Sequence, residues 1–309
     1  MFFENLLLVS EQVVVLFILM AVGAVLYKIK LINDVGVSQM TSVLFWAVTP
    51  CLLIEAFSRE FDPAVAKQLG LFALWAAVFT LLGLAAGLLL FRKTGDKRAV
   101  MSFGAAFSNC GFMGVPMASA LYGEEGVMYA SIFVAVFHIL QWTVGYAVMS
   151  GKGMSLKKLL VNPGVIGIAI SLPIFIFSLR LPDAIGQSVG YLADINTPLA
   201  MLIVGAQLAG SKLTQALTRP AMYAVSAVRL LLVPAAALGA LILLPSGLDT
   251  AARQTLLLEL AAPTAVTTAI IARQVGSDYT LGGHTVAGTT LLSVVTMPVF
   301  ATLSAMFLT

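Results

Sequence analysis

Residues 108–116 read Ser-Asn-Cys-Gly-Phe-Met-Gly-Val-Pro and lie within an apolar segment. Gly111, Gly114 and Pro116 fall within six positions, beside the polar Ser108 and Asn109. Proline removes an amide donor and clashes with the carbonyl one turn back, and glycine tolerates unwound backbone. The stretch therefore reads as a broken helix, with a plain proline kink as the alternative. A break leaves amides unpaired on one half-helix and carbonyls on the other. The amide end favours a carboxylate and the carbonyl end a cation. Asn109, with a donor and an acceptor, is the first candidate to bind a ligand; its alternative role is to cap the helix. Cys110 and Gly111 belong to the same candidate site, with Phe112 and Met113 as its walls and Pro116 as the breaker. A second set gathers around Pro263, where Thr264, Thr267 and Thr268 supply hydroxyls. The alternative for these threonines is a bond back to their own helix.

Four charged residues, Glu55, Asp194, Arg229 and Glu259, fall in apolar segments. Charge at membrane depth costs on the order of a few kcal/mol and marks functional candidates. For Arg229 and Glu259 the favoured expectation is a mutual salt bridge that makes each tolerable. The sharper reading has Arg229 attract an anion while Glu259 takes up a proton. Glu55 is near the end of its segment, and Asp194 lies one turn before Thr197-Pro198. His138, near Gln141, reads as hydrogen-bonded packing ahead of a proton relay.

These residues need elements to carry them. The 309 residues are 60% hydrophobic and 10% charged, whereas a soluble domain is about 25% charged. The apolar runs are continuous rather than alternating, which predicts an all-α polytopic membrane protein and not a barrel. Ten transmembrane helices can be drawn, at about 6–27, 37–57, 68–91, 99–122, 126–149, 163–179, 184–209, 220–244, 252–274 and 281–308. The N-terminal stretch carries Glu4 and Glu11 and no base, the wrong flank for a signal peptide. No basic run points to nucleic acid. The two cysteines and two histidines have no metal-binding spacing, and neither a metal nor a cofactor is expected.

Loops after the odd-numbered segments hold twelve Lys or Arg residues, among them Lys28, Arg92, Arg98, Lys152, Lys157, Lys158, Lys212 and Arg273. The opposite side holds four: Arg59, Lys67, Arg180 and Arg253. That asymmetry puts the odd loops in the cytoplasm and both termini outside.

The two halves echo each other. Thr49-Pro50 and Thr197-Pro198 are 148 positions apart, and Pro116 and Pro263 are 147 apart. With five segments in each half, residues 1–150 and 151–309 would form two inverted repeats, with broken crossover helices 4 and 9. Matched breaks in inverted repeats are the best sequence pointer to a transporter site near the midplane. An intramembrane enzyme would want paired aspartates, a Ser–His pair or a zinc motif, and none is evident. The expectation is a secondary transporter and not an enzyme. A cation–proton antiporter would want adjacent acids at the crossing, where Asn109 and Cys110 stand.

The chain resembles the auxin efflux carrier family, within the wider group of bile-acid, arsenite and riboflavin transporters. The resemblance lies in Asn109–Pro116 followed by Leu121-Tyr-Gly123, in Glu259–Gly276 and in Thr290–Pro298. Plant members carry a long loop between segments 5 and 6, where only about a dozen residues stand here. The resemblance is thus to a compact bacterial type, in the plasma (inner) membrane. It implies a scaffold of segments 1, 2, 6 and 7 and a moving transport domain of segments 3–5 and 8–10. It implies small organic anions, such as malate, malonate or auxin, as cargo, and a homodimer through scaffold helices in contact with membrane lipid. Thr49, Pro50, Asn196, Pro198 and Gln207 are the scaffold-side candidates.

Overall fold

The computed structural model describes residues 2–151, 163–211 and 213–308, with side chains for all of these except 2–10, 12 and 13. Among the described residues the regular structure is helical, with one isolated bridge pairing Ser108 and Thr264. The helices are α1 (Phe2–Lys28), α2 (Asp34–Val43), α3 (Thr49–Phe57), α4 (Pro63–Leu90), α5 (Arg98–Ala106), α6 (Val115–Leu140), α7 (Tyr146–Ser150) and α8 (Pro163–Ile176). They continue as α9 (Asp183–Asp194), α10 (Asn196–Gly210), α11 (Leu213–Leu217), α12 (Pro220–Ala227), α13 (Val233–Leu243), α14 (Thr250–Ala261), α15 (Thr267–Gln274) and α16 (Tyr279–Phe307).

Among the described residues six helical stretches are long and apolar enough to cross a membrane: Asp34–Phe57, Pro63–Leu90, Cys110–Ser150, Asp183–Gly210, Pro220–Leu243 and Tyr279–Phe307. The chain is an all-helical, multi-pass membrane protein. Lys152, Lys157, Lys158 and Lys212, four of the twelve bases that set the expected orientation, lie outside the described residues.

Short polar side chains start the helices where the loops end. Asp62 accepts from the Ala64 amide ahead of α4 at 2.7 Å, and Asp278 accepts from Leu281 ahead of α16 at 2.9 Å. Each satisfies one of the amides that open a helix.

The 41-residue stretch from Cys110 to Ser150 is not one rod. Gly123 has φ 60° and ψ −145°, outside helical geometry. Residues eight apart in a straight helix are about 12 Å apart. A side-chain carbon added at Gly126 would instead stand 2.5 Å from the Ala118 carbonyl oxygen. The chain therefore doubles back at Gly123, between the segments drawn at 99–122 and 126–149, where only glycine takes the turn freely.

Prolines act less as breaks than the sequence suggests. Three of the four π-helical turns among the described residues, Leu44–Val48, Cys110–Gly114 and Val228–Leu232, each end two residues before a proline: Pro50, Pro116 and Pro234. The wider turn accommodates the missing amide and the ring without unwinding the helix. Pro116 therefore does not interrupt its segment; it sits in the first turn of α6, and the unwound backbone is at residues 107–109. Pro50 likewise lies in the first turn of α3, and Pro198 near the start of α10. Pro263 does stand at an unwound point, between α14 and α15.

Helix α1 runs along α10, and α3 packs on α8 and α9. α6 packs on α14 and α4, and α16 on α14 and α15.

Candidate functional site

The site begins with two interrupted helices that hold each other. α5 ends at Ala106, and Phe107 is extended (φ −95°, ψ 113°). α14 ends at Ala261, and Ala262 is extended (φ −62°, ψ 150°), the conformation a following proline demands. The two unwound strands run antiparallel. The Asn109 amide donates to the Pro263 carbonyl at 2.6 Å, and the Ala265 amide donates to the Phe107 carbonyl at 2.9 Å. Thr264 adds its hydroxyl to the Gly104 carbonyl at 2.8 Å, and its amide donates to Thr289 Oγ1 at 3.1 Å. Each break thus satisfies backbone groups that the other exposes, a requirement in a region without water.

The polarity of the remaining ends is sorted. α5 and α14 both arrive at the crossing with their carbonyl ends. The π turn at Cys110 and helix α15 both leave it with their amide ends. The carbonyl ends are taken by Arg229, which has no exposed surface. Its Nε donates to Ala262 O at 2.9 Å and its Nη1 to Ala106 O at 2.9 Å and Ala105 O at 3.4 Å. Its Nη2 donates to Leu260 O. This corrects the expected salt bridge. Among the described residues the ion pairs are Arg59–Glu124 and Arg180–Glu60. Both Glu259 carboxyl oxygens are buried with no hydrogen-bond partner. Glu259 instead abuts Gly114, close enough that a side-chain carbon there would overlap the carboxyl group. The physical reason is that two helix C-termini offer Arg229 both partial negative charge and free carbonyl lone pairs. Nor is Arg229 among the residues that line the two cavities beside Asn109.

The amide ends meet a small cavity of about 50 Å³. From the first break it is lined by Ser108, Asn109, Cys110, Gly111 and Phe112, and from the second by Ala265, Val266 and Thr267. The amides of Cys110, Gly111 and Phe112 open their helix, so no carbonyl within it stands behind them. Ser131, Phe137 and His138 of α6 form a third wall. A further wall comes from Phe45, Thr49, Gly164 and Asn196. Phe112 meets Phe45 edge to face, with centroids 5.0 Å apart. Ser108 Oγ, His138 Nδ1 and Asn196 Nδ2 are buried without a hydrogen-bond partner. Asn109 makes no side-chain cap bond; its carbonyl accepts from Met113 and Gly114 at 3.0 and 3.2 Å.

Asn109 and Val266 also line a second cavity of about 260 Å³, with Gln207, Ser211 and Thr290. The crossover therefore stands between two spaces. Glu55 and Asp194 are exposed and share a separate cavity of about 310 Å³ with Glu124.

Several sequence candidates serve the crossing without facing the cavity. Met113, Pro116, Pro263, Thr264 and Thr268 are not among its lining residues. Thr268 is buried with its hydroxyl unpartnered. Thr267 does line the cavity and donates to Gln141 Oε1 at 2.6 Å. Sequence reasoning missed the clamp made by Arg229 and the contributions of Phe45, Ser131 and Val266. None of these carries a local motif; only the polarity of Ser131 within an apolar run was a signal.

Comparison with known proteins agrees with a transport fold. The family described as membrane transport protein matches residues 8–159 and 152–301. An uncharacterized transporter of Methanothermobacter thermautotrophicus is 25% identical over 301 residues, covering 94% of this chain and 97% of that protein. An uncharacterized transporter of Methanocaldococcus jannaschii is 24% identical over 214 residues, covering 64% and 68%.

Proposed function

The chain belongs to the membrane transport protein family, that of the auxin efflux carriers, and on that premise we propose that it is a secondary transporter of a small organic anion. The cargo is a carboxylate, auxin-like or dicarboxylic, held at the crossing of the two broken helices. The observation that carries this reading is the sorting of helix ends. The carbonyl ends are neutralised by Arg229, while the amide ends open on the cavity beside Asn109. Backbone amides at a helix N-terminus are a ready anion site, and Asn109 and Asn196 add side-chain donors there.

Transport proceeds by an elevator-type alternation of access. A body of α4–α7 and α12–α16 carries the crossing past a scaffold of α1–α3 and α8–α10. The cavity wall from Phe45, Thr49 and Asn196 is the scaffold's share, and the second cavity that Asn109 and Val266 also line is the space on the other side. The two halves, 1–150 and 151–309, are inverted repeats of five spans. The protein sits in the plasma membrane with both termini outside and dimerises through scaffold helices.

A second reading, coupling to protons, rests on Glu259, whose carboxyl group is fully buried without a partner beside the π turn that follows Asn109. A transport rate indifferent to an imposed proton gradient would remove it.

Thermal unfolding of the purified protein against mono- and dicarboxylates tests the site. A bound carboxylate raises Tm, and Asn109→Ala abolishes that rise while leaving the ligand-free Tm near wild type. A carboxylate that stabilises both proteins equally would put the site elsewhere.

A further inference from the structure

The surroundings of Arg229 form a ligand set in their own right. Four main-chain carbonyls, of Ala105, Ala106, Leu260 and Ala262, converge on its guanidinium. They come from the C-terminal ends of two helices, each equivalent to about half a negative charge. No carboxylate takes part in these four bonds. A cage of main-chain carbonyls at half-helix ends is the arrangement by which transporters hold a monovalent cation. Here the side chain that fills it starts from a π turn, Val228–Leu232, packed against the crossing.

We propose that these four carbonyls are a monovalent-cation site that the chain occupies with its own guanidinium. The tethered charge balances the two helix ends permanently, so no free alkali cation enters the crossing in the working protein. Removing the side chain leaves a vacant cage with room for a small cation of the same charge. Arg229 is then a positioning residue: it holds the two breaks together and leaves only the amide ends for a ligand. The consequence for transport, uptake independent of sodium and potassium, rests on the transporter reading above; the cage does not.

The test is chemical rescue of Arg229→Ala, read by thermal unfolding without any substrate. Wild type and variant are titrated with guanidinium chloride at low millimolar concentration, with sodium chloride, and with choline chloride as a cation too large for the cage. The expected result is a lowered Tm in the variant and a saturable recovery with guanidinium. That recovery should reach roughly 3–6 °C at a hundredfold excess over half-saturation, with no rise for wild type and none with choline. Equal responses to all three salts, or no response to guanidinium, would overturn the proposal. Should Arg229→Ala fail to fold, Arg229→Lys and Arg229→Met decide: the cage requires the charged variant to be the more stable, and equal stability overturns it. Wild-type uptake that rises with sodium would contradict the occupied cage. A wild type that takes up no anion at all would sink the transporter reading and leave the rescue result standing.

Discussion

Gly114 offers a sharp test of the packing at the crossing. It lies at the end of the π turn Cys110–Gly114, facing the carboxyl group of Glu259. In Gly114→Ala the new carbon would stand 2.5 Å from Glu259 Cδ and 2.6 Å from Oε1, and would overlap Oε2. Comfortable contact needs about 3.5–4.0 Å, so the carboxyl group must move by about 1 Å. Glu259 has no exposed surface, which leaves it nowhere to go. Overpacking of this kind costs about 1–3 kcal/mol. With Glu259→Ala already in place, the obstruction is gone. Gly114→Ala should then be neutral, or stabilise by roughly 0.5–1 kcal/mol through a stiffer helix. The two substitutions should therefore couple by about 2 kcal/mol, within the range for residues in contact. Thermal unfolding of the four proteins in the cycle measures this. Equal effects of Gly114→Ala in both backgrounds would refute the contact and with it the placement of Glu259.

Two further outcomes follow from the same geometry. Exchanging the charges, Arg229→Glu with Glu259→Arg, should yield no more folded protein than Arg229→Glu alone, because a carboxylate at 229 faces four carbonyls; recovery to the wild-type yield on size-exclusion chromatography would reinstate a direct pair. Asp249 caps α14 through the Ala252 amide at 2.7 Å and accepts from Tyr129 Oη at 2.5 Å, so Asp249→Ala should cost about 1–2 kcal/mol for the cap and about 1 kcal/mol more for the tyrosine bond. Tyr129→Phe should lose only the second part, and equal falls in Tm for the two variants would contradict the double role.

The two breaks are legible in the sequence because Gly, Pro, Asn and Thr cluster there within apolar runs. Their positions are legible to different degrees. Pro263 marks its own break, since the residue before a proline is driven to extended backbone. Pro116 misleads by several residues, because a π turn takes up its demands and the chain unwinds at Phe107–Asn109 instead. The turn at Gly123 is legible as the gap between two apolar segments. Arg229 is the clearest failure of sequence reasoning. Opposite charges suggest each other as partners, but its partners are main-chain carbonyls far away in the chain, from residues 105, 106, 260 and 262. Carbonyls have no sequence signature; only the convergence of two helix ends creates them as a site. Thr264, by sequence a candidate ligand-facing hydroxyl, instead ties the second break to Gly104.

The central claim is that the amide ends at the crossing bind a carboxylate that the protein carries across the membrane. Uptake of a labelled carboxylate into liposomes, by wild type and by folded Asn109→Ala, tests it most directly. The account predicts accumulation with wild type and none above protein-free liposomes with the variant. Wild-type uptake at the protein-free level across mono- and dicarboxylates, or full uptake by Asn109→Ala, would contradict it.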